Sequence, residues 1–79
     1  MNYDLAMMAL DGLARSPITV RHENGAMIVE GEAAGFKELA RLFLLLGGAQ
    51  SAAETFELQP GVHSTNGSPL TKLVLLPPR

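Results

Sequence analysis

The chain has 79 residues, 47% of them hydrophobic and only 18% charged, with six basic and eight acidic side chains, a net charge of -2 and no cysteine. That composition excludes a disulfide framework and thiolate zinc sites, and the lack of a basic cluster argues against binding driven by a nucleic-acid backbone. The charged share lies below the roughly 25% usual in soluble domains, and so short a chain cannot hide every apolar group, so some apolar surface is expected to meet another chain.

The length suits one domain over residues 1–79, divided into an N-terminal helix over 1–16 and a core over 17–79. The opening MNYDLAMMALDG lacks a basic n-region, and Asp4 and Asp11 interrupt its apolar run, so it does not read as a secretory signal. Leu42 to Leu46 is far short of the roughly 20 apolar residues that span a bilayer. A cytoplasmic protein is expected, and the absence of cysteine fits a reducing compartment.

The first element is expected from Tyr3 to about Arg15, capped by Asn2 and with Asp4 near the positive end of the helix dipole. Leu5, Met8, Ala9 and Leu13 form its apolar stripe; Met7 and Met8 suggest a soft, adaptable binding surface, but gaps in the core are their preferred place. Gly12 weakens the helix near its end, and Ser16-Pro17 stops it, because the residue before a proline is pushed out of the helical region.

Ile18 to Glu23 and Ala26 to Gly31 flank Asn24-Gly25, the pair that best accommodates the two positive φ angles of a type I′ turn. A two-residue turn sets Glu23 opposite Ala26, His22 opposite Met27, Arg21 opposite Ile28, Val20 opposite Val29 and Thr19 opposite Glu30. Ile18, Val20, His22, Met27 and Val29 share one face, expected under a helix. Arg21, with Glu23 and Glu30 near it, lies on the other.

Gly35 to Gly48 reads as the strongest amphipathic helix, with Phe36, Leu39, Ala40, Phe43, Leu46 and Gly47 as its buried stripe. Gly35, with Glu38 three residues on, is its expected N-cap, and Gly47 and Gly48 are expected to close it in the left-handed conformation. Leu42, Leu44 and Leu45 fall off the stripe, so the N-terminal helix is expected to pack beside this one and cover Leu42 or Leu45. A strand over Ala53 to Leu58, a polar loop over Gln59 to Pro69 and a strand over Leu70 to Leu76 complete the chain. Apolar on both faces, the last strand reads as a central one or as one whose outer face is covered. The expected fold is α+β, in the order α-β-β-α-β-β, with one four-stranded sheet in a single layer and the central helix packed on one face.

No residue cluster names a reaction, and no enzyme is expected. His22-Glu23 lacks the second histidine of HExxH and sits at a turn. His63-Ser64 sets a nucleophile beside a base, but adjacent loop residues seldom face one another. Gly61 and Gly67 spell no phosphate loop, and the scattered acids show no calcium-loop spacing. No catalytic residue, cofactor or metal site is expected.

The run VEGEAAGFKELARLFLLL, followed by a strand, a histidine-containing polar loop, Ser68 and a closing strand at Leu73 to Leu76, resembles the small bacterial polymorphic-toxin immunity proteins of the immunity protein 32 type. The likeness covers about Ile18 to Leu76. It implies a non-enzymatic cytosolic protein that binds and neutralises a toxin. His63, Ser64, Thr65, Asn66, Arg21, Glu30, Glu57 and Lys72 are then the candidate contacts. The alternative is a structural subunit that associates with itself, as a homodimer, through Leu42, Leu45 and the N-terminal helix.

Overall fold

The computed structural model describes residues 3–48 and 55–77. Its elements are α1 (Tyr3–Arg15), β1 (Thr19–Glu23), β2 (Ala26–Glu30), α2 (Ala33–Gly47), β3 (Thr55–Leu58) and β4 (Thr71–Val74). The α+β class and the element order agree with the sequence reading. The expected Asn2 cap and the start of the third strand at Ala53 lie outside the described residues.

The hairpin β1-β2 has the expected register at every pair from Thr19 with Glu30 to Glu23 with Ala26. Asn24 at φ 51° and Gly25 at φ 82° form its turn, the two positive angles that hold a two-residue connection to the twist of its strands. The second hairpin, β3-β4, is also antiparallel, with Phe56 opposite Leu73 and Glu57 opposite Lys72.

The hairpins do not merge. The four strands form two separate two-stranded sheets, which corrects the expectation of one four-stranded sheet and of a central position for the last strand. The cause lies on the outer edge of β1. There Ile18 N–H donates to the His63 carbonyl at 3.2 Å, Thr65 N–H donates to the Ile18 carbonyl at 2.8 Å, and Val20 N–H donates to Ser68 Oγ at 3.1 Å. The loop after β3 therefore satisfies the groups that a third strand would have used.

The helices lie antiparallel, since Gly12 of α1 faces Glu38 of α2 and Gly35 faces Ser16. Gly35 is a packing residue rather than a cap: a Cβ there would stand 2.6 Å from the Ser16 carbonyl oxygen. Glu32 takes the N-cap position without a side-chain bond. At the other end Gly48 closes the helix at φ -93°, outside the left-handed region, with its N–H on the Leu44 carbonyl at 3.1 Å.

One core joins the layers: Ala6, Ala9 and Leu13 of α1, Leu39, Leu42 and Leu46 of α2, Ile18 and Val20 before and in β1, and Phe56 and Leu58 of β3. The buried face of α2 runs through Gly35, Leu39, Leu42 and Leu46. It is turned by roughly 70° from the expected stripe, less than the 100° step of one residue. Leu42 becomes fully buried at 0% exposure, whereas Phe36, Ala40 and Phe43 are exposed. As expected, α1 packs beside α2 and shares in covering Leu42. Met7 and Met8 do not fill the core but point outward, and on the hairpin His22, Met27 and Val29 are exposed rather than covered by a helix.

Candidate functional site

Two surfaces compete for the role of a site. The first is the polar side formed by the loop and the hairpins. Residues 59–64 make a compact turn in which the Gln59 carbonyl accepts from Val62 N–H at 3.0 Å and His63 N–H at 3.0 Å. His63 Nδ1 accepts the Gln59 N–H at 3.1 Å, which needs an imidazole unprotonated at that nitrogen. Burial holds the His63 pKa below its ordinary value, against the pull of the Asp11 carboxylate.

Ser64 is buried, and its Oγ has no hydrogen-bond partner, so it is not paired with the His63 ring. Thr65, half-buried, shares a hydrogen bond with Thr19 between their Oγ1 atoms at 2.8 Å. Of the four loop candidates, Asn66 alone is exposed. The loop is thus a fastening for β1 more than a free recognition segment.

Arg21 and Glu30 lie on the exposed hairpin face, joined Nε to Oε1 at 2.8 Å, and Arg21 also pairs with Glu23. The hydrogen bond from Arg21 lowers the Glu30 pKa, and the guanidinium pKa is raised by the same bond. On the second hairpin Lys72 and Glu57 face each other across the strands with Nζ 3.8 Å from Oε1, and Gln59 Nε2 donates to Glu57 at 3.0 Å. These clusters belong to different sheets; Lys72 and Glu57 balance one another, whereas Arg21 between Glu23 and Glu30 leaves one negative charge over. Exposed pairs of this kind contribute little to stability.

The second surface is the outer face of the helix pair. A groove of about 640 Å³ runs between α1 and α2, with Leu5, Met8 and Ala9 on one wall and Leu44 and Leu45 on the other. Asp11 and Arg15 of α1 and Glu38 and Arg41 of α2 line its other half. Met8 is 65% exposed and Leu44 77%, far from the burial expected of large apolar side chains. Glu38 and Arg41 form an ion pair one turn apart. Leu45, one of the two residues expected in self-association, is half-buried here; Leu42, the other, lies beneath in the core and presents nothing to a partner.

Leu44 and the four charged residues were not singled out as contacts in the sequence, and Met8 was weighed as a binding surface but placed in the core. The available signal was that Leu44 and Leu45 fall off the apolar stripe of their helix, which leaves apolar surface for something other than the chain's own core. Among the described residues no group of three histidine, aspartate or glutamate side chains is placed to hold a metal ion, and no helix is long and apolar enough to cross a membrane. The chain matches no protein-family model, no curated protein and no solved structure.

Proposed function

We propose that this chain is a small, non-enzymatic protein-binding module of the cytoplasm that docks through the outer face of α1 and α2. The observation that carries this reading is the exposure of Met8 and Leu44 on either side of a groove whose walls include Ala9 and Leu45. Large apolar side chains gathered on one face mark an interaction surface, because covering them removes apolar area from water. A non-enzymatic role is supported by the loop, where the His63 Nδ1 is taken by a backbone N–H and the neighbouring Ser64 Oγ is buried away from it. Toxin neutralisation, implied by the resemblance over Ile18 to Leu76, is one form of this reading, with Asp11, Arg15, Glu38 and Arg41 at the groove, rather than Arg21, Glu30, Glu57 and Lys72 on the sheet side, as the polar groups that would set specificity.

The test is affinity capture from native lysate with the full chain, with Leu44→Glu, and with Arg21 and Lys72 changed together to alanine. A stoichiometric partner should be kept by the double variant and lost by Leu44→Glu. The opposite pattern would move the interface to the sheet side and overturn the proposal.

A further inference from the structure

The proposed binding face has a layout that points to its occupant. Because the helices are antiparallel, with Gly12 facing Glu38 and Gly35 facing Ser16, the start of α1 lies beside the end of α2. Leu5, Met8, Leu44 and Leu45 therefore gather at one end of the groove, and Asp11, Arg15, Glu38 and Arg41 at the other. Each helix brings one acid and one base to the charged end, so the rim has no net sign. A strongly acidic or basic partner would be repelled by half of it.

We infer that the face is an isologous homodimer interface, in which the two-fold axis runs along the groove, parallel to α1 and α2. This inference rests on the reading of that face as a docking surface. Rotation about such an axis lays each α1 antiparallel on α2 of the second copy and preserves height along the helices. The apolar end then meets the apolar end, with Met8 against Leu44 of the second copy. At the charged end Glu38 of the second copy comes level with Gly12, within a turn of Arg15, and Arg41 of the second copy lies within a turn of Asp11. Because side chains lean toward the N-terminus of their own helix, the acid and base of each of these pairs lean toward one another. A two-fold axis across the helices would instead set the apolar end on the charged end, so the alternative arrangement is disfavoured by the same residues.

The size of the face also fits. Helices of 13 and 15 residues are about 20 Å long and pack about 10 Å apart, giving a face of roughly 20 by 20 Å. Two corrugated faces of that size bury on the order of 1,000 Å², at the lower edge of specific interfaces. The dimer is accordingly expected at micromolar rather than nanomolar concentration.

Sedimentation equilibrium of the full chain, from about 1 to about 500 µM, reads the association directly. Wild type should pass from monomer to dimer in that range. Leu44→Glu should weaken the dimer at least about tenfold while its far-ultraviolet circular dichroism stays that of wild type, since residue 44 packs little against its own chain. Asp11→Arg should weaken it too, and Arg41→Asp combined with Asp11→Arg should restore it, which a loss of folding could not do. A wild-type chain that stays monomeric at about 500 µM overturns the inference; the docking reading itself then stands if Leu44→Glu still abolishes capture of a different protein. A dimer indifferent to Leu44→Glu overturns the assignment of this face.

Discussion

Ser64 and Ser68 are both buried in the same loop, yet their hydroxyls have opposite roles. Ser68 Oγ accepts the buried Val20 N–H, so Ser68→Ala orphans a backbone donor and should cost about 1–3 kcal/mol in urea unfolding. Ser64 Oγ is desolvated without a partner, so Ser64→Ala should be neutral or slightly stabilising. Equal losses from the two substitutions would contradict this division of roles. His63 adds a pH dependence. Its folded pKa lies below the unfolded value of about 6.5, so on acidification the unfolded chain takes the proton first. The contribution is complete above the unfolded pKa and is lost as pH falls through the folded one. Urea midpoints at pH 7.5 and about 5.5 should therefore fall further apart for wild type than for His63→Gln. Asp11→Asn should deepen the wild-type fall, because the Asp11 carboxylate favours the protonated ring.

At the level of elements, the helix pair depends on two glycines in different ways. A Cβ on Gly35 would stand 2.6 Å from the Ser16 carbonyl, a backbone atom at the turn out of α1 that cannot step aside. Gly35→Ala should therefore destabilise by about 1–3 kcal/mol, despite the better helix propensity of alanine. A Cβ on Gly12 meets the Glu38 side chain at 2.6 Å, and that chain can swing toward solvent. The clash is offset by a propensity gain of about 1 kcal/mol, so Gly12→Ala should change stability by about 1 kcal/mol or less. Thermal unfolding of the two variants side by side checks the order, and a larger loss at Gly12 would reverse it.

The molecule as a whole has a helix pair between its core and the groove that carries Met8 and Leu44. The inner sides of α1 and α2 supply Ala6, Ala9, Leu13, Leu39, Leu42 and Leu46 to the core, and the outer sides carry Met8 and Leu44. If that outer face is covered by a second copy, folding and association are linked. The thermal midpoint of wild type should then rise with protein concentration, and that of Leu44→Glu should not. Calorimetry at two concentrations a hundredfold apart would show it, and a midpoint independent of concentration would separate folding from any association.

By itself the sequence determined what neighbouring residues decide. The β1-β2 register was legible to the last pair because Asn24-Gly25 can adopt positive φ at both positions and a two-residue turn leaves one pairing. The extent of α1, its stop at Ser16-Pro17 and its place beside α2 were legible for similar reasons, as was the surplus of apolar residues on α2. Only the tertiary structure decided which side of α2 is inside, because the apolar residues nearly encircle that helix and the choice falls to the neighbours that Gly12 and Gly35 admit. It likewise decided that the sheets stay apart. Val20 finds its acceptor in Ser68, 48 residues further along, and no local pattern of alternation or turn chemistry encodes a bond at that separation.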